Sequence, residues 1–258
     1  MMSDVKRITP EVEGVRLAQA QNSGATLDQF DPPADVAQAE AIQDAMIAAL
    51  GWTAAGWKLG ASTRAAQAGL GLFRCFSGLI PADRVLASPA RLSPDALRFT
   101  GVECELAFVL GEGVRRSTGV WTELTATEAV ASVHPAIEIP ETRFAALVVH
   151  GALALVADNG AAGWAVLGPP SPLAALDAFT SATLSINGQP CASGDLSAFV
   201  ASPLALLADH LNRAAARGYR PAPGEAVLLG SVTPLQAAPA GSEVTVDFGA
   251  VGQARLRF

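Results

Sequence analysis

The chain has 258 residues, half of them hydrophobic and only 16% charged, which excludes a disordered protein and leaves ample apolar content for a large core. Acidic residues outnumber basic ones by 24 to 17, for a net charge of −7, and no basic cluster is present that could follow a phosphate backbone, which argues against nucleic acid as a partner. Three widely spaced cysteines, Cys75, Cys104 and Cys191, form no CxxC pattern and so suggest neither a disulfide framework nor a zinc site, but rather a reducing compartment.

The N-terminal stretch MMSDVKRITPEVEG lacks the apolar segment of a signal peptide. The most apolar window, residues 145–157, is too short to span a bilayer and contains His150. The expectation is a cytoplasmic protein with no membrane partner. Helical grammar then fills the first fifty residues. ITPEVEGVRLAQAQ opens with Thr9 as N-cap and Pro10 at the first helical position, and FDPPADVAQAEAIQDAMIAAL repeats that order with Asp31 before Pro32 and Pro33. From about Trp52 onward, short apolar runs broken by glycine and proline predict strands in GLIPADRVLAS, CELAFVLG, AIEIP, ATLSINGQP, AVLLGS and EVTVDFG. Helices interrupt them at TATEAVASV, where Thr125 and Glu128 match a capping box, and at SPLALLADHLNRAAARG, from the cap Ser202 to the stop Gly218. Asn187 and Gly188 in INGQ predict a type I′ hairpin turn. The pattern is that of an α+β chain, expected as a single unit over residues 1–258, helical over 1–51 and β-rich over 52–258.

Acids in strand context carry the chemistry. In GVECELAFVL, a period of two puts Glu103 and Glu105 on one face with Ala107 and Val109, opposite Val102, Cys104, Leu106, Phe108 and Leu110. Those ten residues alone fit a half-buried strand whose glutamate face meets water. Glu138, in the extended stretch HPAIEIPETRF, shifts the balance as a third isolated acid. A buried carboxylate costs several kcal/mol unless it is paired, hydrogen-bonded or bound to a cation. Alternate strand residues lie about 6.6–7 Å apart, close enough for their side chains to converge on one ion. An all-oxygen ligand set favours a hard cation, Mg²⁺ or Mn²⁺, and leaves room for water or a chelating substrate.

Lys58 in GWKLGAS, between Trp57 and Leu59, admits two readings. An ammonium in apolar surroundings has its pKa pushed down and can exchange protons near neutrality; alternatively, the side chain snorkels to the surface. Asp83 in GLIPADRVL is either a base or lysine partner, or a turn former after Pro81. His134, His150 and His210 read as structural, and Cys104, facing away from the two glutamates, reads as core.

The segments GWKLG, GVECELAFVLG, HPAIEIPETRF, VADNGAAGWAVLG and PAPGEAVLLGSVTPLQAAPAGSEVTVDFGAVG occur in the order seen in 2-keto-4-pentenoate hydratases and 4-oxalocrotonate decarboxylases of the fumarylacetoacetate hydrolase superfamily. The chain resembles that family over roughly residues 40–258. The resemblance implies a β-rich fumarylacetoacetate-hydrolase-like fold, a mixed β-sandwich roll with N-terminal helices, assembled as a homo-oligomer. It further implies that Glu103, Glu105 and Glu138 are divalent-metal ligands, that Lys58 and, by a looser match, Asp83 are catalytic, and that Gly230 with Ser231 contacts a substrate carboxylate. The activity it implies is hydration of a 2-hydroxy-2,4-dienoate (2-oxo-4-enoate) to a 4-hydroxy-2-oxo acid in aromatic-compound catabolism. The same enolate chemistry would serve decarboxylation of a 2-oxo-3-enedioate or hydrolysis of an acylpyruvate or diketone. One departure stands out: hydratase-like members often carry a serine after the DN pair, whereas Asp158-Asn159 is followed by Gly160, Ala161 and Ala162. That loss also admits a catalytically inactive accessory protein, against which the retention of Lys58 and the three glutamates counts.

Overall fold

Local sequence chemistry accounts for most element boundaries in the computed structural model, which describes residues 9–116 and 119–258. Its α-helices are α1 (Pro10–Ser23), α2 (Val36–Leu50), α3 (Arg64–Leu70), α4 (Glu123–Ala129), α5 (Ala152–Ala157) and α6 (Pro203–Ala216). Thr9 precedes Pro10 at the start of α1 as expected, and α6 is capped by the Ser202 hydroxyl, which accepts from the Ala205 N–H at 3.2 Å. Two starts differ from the sequence expectation. Helix α2 begins after Asp35, whose carboxylate accepts the Gln38 N–H at 2.8 Å; consecutive prolines bias the residues before them to extended backbone, so the cap moves four residues past Asp31. Helix α4 uses a capping box of Thr122 with Thr125 rather than Thr125 with Glu128, because strand follows at Val130 and the turn must close by Ala129. Among the described residues no helix is long and apolar enough to cross a membrane.

The strands are β1 (Ala54–Gly60), β2 (Phe76–Pro81), β3 (Val85–Ala87), β4 (Ala90–Arg91), β5 (Gly101–Leu110), β6 (Val130–Ile139), β7 (Trp164–Leu167), β8 (Ala182–Ile186), β9 (Gln189–Gly194), β10 (Ala226–Ser231), β11 (Gln236–Ala237), β12 (Glu243–Asp247) and β13 (Gln253–Arg257). Asn187 and Gly188, at φ 51° and 76°, turn β8 into β9 as the INGQ motif predicts.

The chain divides into two compact units. The first takes the described residues up to Trp52 together with Thr142–Ala161, so a later segment joins the N-terminal helices. Leu17, Ile42 and Met46 are fully buried there. Phe144 packs on Phe30 and His150, with ring centroids 5.0 and 4.8 Å away. The DN pair serves this packing: Asp158 binds Arg143 Nε at 2.5 Å and the Thr142 hydroxyl at 2.6 Å, and Asn159 accepts from Gln43 at 2.9 Å. A buried ion pair with every oxygen occupied has its desolvation offset locally.

The second unit, Thr53–Glu141 with Ala162–Phe258, holds two mixed sheets. One runs β2-β1-β10-β5-β6-β7-β3, with β11 added to β5; the other runs β4-β13-β12-β8-β9. Pairs β1/β10, β3/β7 and β4/β13 are parallel and the rest antiparallel. Strands β12 and β13 lie against β6, and β8 against β5, which makes a sandwich. Val102, Cys104, Leu106 and Phe108 are fully buried on one face of β5. The opposite face of the same sheet is also covered, over a floor of Ile80, Ala107, Ala136, Ala162, Ala165, Ala226 and Leu228.

Candidate metal centre and active site

Four adjacent strands, β1, β10, β5 and β6, carry the site residues side by side. Glu103 on β5 pairs directly with Glu138 on β6, and Glu105 pairs with Ala136, so all three carboxylates share one face of the sheet. Alternation along β5 and antiparallel register with β6 together form a triangle of acids. One carboxylate oxygen from each lies within 4.8 Å of the other two. This face is buried rather than water-facing: Glu105 and Glu138 have 0% exposure and Glu103 is half-buried. The side chains of the apolar floor on this sheet carry no hydrogen-bond donor.

Glu105 Oε2 accepts the Gly230 N–H at 2.7 Å. Its other oxygen and both oxygens of Glu138 are buried without a hydrogen-bond partner. Burial and then the charge of Glu103 raise the Glu105 pKa to about 8, and burial raises that of Glu138 well above the ordinary carboxylate range. Native proteins satisfy nearly all such atoms. Oxygens of three carboxylates converge here, and those of Glu105 and Glu138 that lack a partner fit a hard divalent cation that would accept them as ligands.

Lys58 on β1 faces the same way, since it pairs with Leu228 and Leu228 pairs with Ala107. Its Nζ is 4.0 Å from Glu138 Oε1, and its side chain is only 10% exposed. The snorkelling alternative therefore fails. The expected downward pKa shift is also corrected: burial lowers it, but Glu138, Glu103 and Glu105 together outweigh burial and raise it. Asp83 is not brought to this lysine. Lys58 pairs with Gly78 on β2, whereas Asp83 sits exposed in a 3-10 turn, Ala82–Arg84, beyond Pro81 at the other end of that strand. Three residue steps along the strand, roughly 10 Å, separate Gly78 from Pro81.

Gly230 and Ser231 adjoin the cluster, with Ser231 paired to Glu105 across a register shift. Their polar groups are already engaged. The Gly230 N–H goes to Glu105, and the Ser231 hydroxyl is 2.7 Å from Thr233 O and 3.3 Å from Cys104 O. These residues hold Glu105 and a bulge in place. Ser62, which no motif marks, packs against Gly230, at φ 100°: a Cβ there would lie 1.9 Å from Ser62 Oγ.

The histidines are structural, as expected. His134 is bonded at both ring nitrogens, to Gly168 O at 2.7 Å and Ser132 Oγ at 2.8 Å. His210 packs on Trp57 at 5.2 Å and meets Ser77 Oγ at 3.0 Å, with its pKa lowered to about 3 by burial and then by Arg213 and Arg217. Cys104 is fully buried on the opposite face, and burial raises its thiol pKa.

Residues 77–258, which contain the three glutamates and the Gly230 bulge, match the model of the fumarylacetoacetate (FAA) hydrolase C-terminal family. The chain belongs to the fumarylacetoacetate hydrolase family. This fumarylacetoacetate hydrolase family member is 30% identical to 2-keto-4-pentenoate hydratase of Paraburkholderia xenovorans (strain LB400), over 94% of this chain and 92% of the relative. It is 31% identical to 2-hydroxyhexa-2,4-dienoate hydratase of Comamonas testosteroni, over 100% of this chain and 99% of that one. Its fold is similar to that of 4-oxalocrotonate decarboxylase from Pseudomonas putida G7 complexed with magnesium and adipate, with a TM-score of 0.83, 20% identity, and coverage of 98% and 100% of the two chains. The family fold, an α+β arrangement of mixed sheets with helices, is the one the sequence motifs imply.

Proposed function

We propose that this protein is a Mg²⁺- or Mn²⁺-dependent hydro-lyase that adds water to a 2-hydroxy-2,4-dienoate and releases a 4-hydroxy-2-oxo acid, a step of aromatic-compound catabolism. The observation that carries the reading is the set of three carboxylates, Glu105 and Glu138 buried and Glu103 half-buried, with oxygens within 4.8 Å of one another and Lys58 4.0 Å from Glu138. The similarity to two dienoate-type hydratases at 30% and 31% identity over nearly the whole chain supports hydration over the other reactions of the family. Glu103, Glu105 and Glu138 would hold the divalent ion, which would supply Lewis acidity toward the substrate's oxygens and offset the field that keeps Lys58 protonated.

The chain's own groups account for the proton traffic. The substrate's 2-hydroxyl loses a proton while C5 gains one, which gives a conjugated 2-oxo-3-enoate. Water then adds at C4, and C3 takes the second proton. Lys58 is the proton carrier, placed by β1 beside the carboxylate face and enclosed by its strand neighbours. Gly230 holds Glu105 in orientation through its N–H, and the apolar floor excludes water from beneath the reacting carbons. Asp83, exposed in its turn, is given no proton-transfer step. The active form is a homo-oligomer.

The test is direct. Mg²⁺-loaded protein should bleach the ultraviolet absorbance of 2-hydroxypenta-2,4-dienoate, and chelator should stop it. Equal rates with and without chelator would defeat the proposal, and no rate at all would favour an accessory protein.

A further inference from the structure

The turn after Lys58 is held by almost every polar group it has. Ala61 adopts φ 54°, a conformation that residues other than glycine take only where the surroundings enforce it. Its carbonyl accepts from Gln67 Nε2 at 3.0 Å and from Cys75 Sγ at 3.4 Å. The Ser62 carbonyl accepts the Val200 N–H at 2.9 Å, and the Thr63 hydroxyl caps α3 by accepting the Ala66 N–H at 3.1 Å. The Ser62 hydroxyl is the exception: it makes no hydrogen bond among the described residues, although Ser62 is only 2% exposed.

That hydroxyl lies against Gly230, the residue that holds Glu105. Its Oγ presses on Gly230, 1.9 Å from where a Cβ would sit, and the Gly230 N–H donates to Glu105 Oε2. Only glycine lets the Ser62 side chain reach this close to the strand that orients a ligand carboxylate. Thr233 also has an unpartnered hydroxyl, but Ser62 is the one in contact with the residue holding Glu105. Ser231, the other serine beside the cluster, has its hydroxyl engaged with main-chain carbonyls, and alanines stand at 161 and 162. Few hydroxyls on buried residues are left open, and a donor kept open beside the residue that holds Glu105 has a use when an anion arrives.

We infer that Ser62 is a substrate-contacting residue, donating its hydroxyl hydrogen to an oxygen of the carboxylate and 2-oxo end of a 2-oxo or 2-hydroxy acid. This deepens the proposed function and rests on its location for the substrate, but not on the reaction being hydration. The experiment compares wild type with Ser62→Ala, both loaded with Mn²⁺, and titrates pyruvate as a minimal 2-oxo acid by calorimetry. Metal affinity and thermal midpoint are measured on the same preparations. Loss of one hydrogen bond to a charged group weakens binding by about 10- to 100-fold, and this is expected for pyruvate with metal affinity unchanged. Pyruvate affinity within twofold of wild type would overturn the assignment, as would a parallel loss of metal, which would make Ser62 a support for Glu105 instead. Wild type that fails to bind pyruvate would overturn it too. Wild type that binds pyruvate but does not hydrate the dienoate would refute the reaction while leaving Ser62 in place.

Discussion

Replacing Glu105 by glutamine should stabilise the metal-free protein while abolishing its response to metal. Glu105 is fully buried, with one oxygen on the Gly230 N–H and the other without a partner. Burial and Glu103 raise its pKa from 4.5 to about 8. Between those values the native chain holds a proton that the unfolded chain has released, so stability falls as pH rises and levels off above the upper value. Each pH unit in that window costs about 1.4 kcal/mol, so Glu105 alone removes about 3 kcal/mol between pH 4.5 and about pH 7. Glu138, raised in the same direction, steepens the loss. Glutamine is neutral throughout and still offers Gly230 an acceptor. At about pH 7 metal-free Glu105→Gln should therefore unfold on the order of 6–12 °C above metal-free wild type, the equivalent of about 3 kcal/mol for a chain of this size. Near pH 4.5 the two should nearly coincide. Magnesium should reverse the order, because an ion that binds only the native state stabilises it by mass action and the variant lacks a charged ligand. Thermal unfolding in magnesium and in chelator at both pH values makes the comparison. A metal-free variant less stable than metal-free wild type near neutrality, or one that gains as much from magnesium, would refute the reasoning.

Lys58→Met should keep metal binding, since the carboxylates remain, yet lower turnover of a 2-hydroxy-2,4-dienoate by about two to four orders of magnitude, the worth of a positioned acid or base; metal titration and steady-state rates on one preparation check both. Gly230→Ala should weaken metal binding and lower the thermal midpoint, because its φ of 100° remains strained even if Ser62 rotates away from the new Cβ, at about 1–3 kcal/mol; calorimetry and thermal unfolding report the two effects. Sedimentation velocity should find an oligomer that persists on dilution through the range in which activity is measured, and a fully active monomer would remove that part of the account.

The period of two in GVECELAFVL placed Glu103 and Glu105 together correctly, but it could not tell which face met water. The reason is that both faces are covered: Val102, Cys104, Leu106 and Phe108 face the second sheet, and Ala107 joins an alanine floor built from β6, β7 and β10. Glu138 was legible as an isolated acid in a strand, yet its place opposite Glu103 depends on β5–β6 register across a connection that includes α4. Lys58 was legible as a candidate that could be buried or snorkelling, whereas its burial and the direction of its pKa shift depend on residues from other strands. Asp83 is the weaker candidate in sequence, because a turn aspartate and a base have the same local signature. Ser62 carried no signal at all. Its role depends on a left-handed Ala61 and on contact with Gly230, which lies far along the chain and enters the sheet between β1 and β5. Helix starts slipped where several capping residues competed within a few positions, Asp31 against Asp35 and Thr122 against Thr125.

Hydration is tested most directly by running Mg²⁺-loaded protein on 2-hydroxypenta-2,4-dienoate in ¹⁸O-labelled water and weighing the product. The account predicts a 4-hydroxy-2-oxo acid with the mass of substrate plus one labelled water, the label in the C4 hydroxyl, formed only when the divalent ion is present. A product that lacks solvent oxygen at C4 while the dienoate is consumed would contradict it.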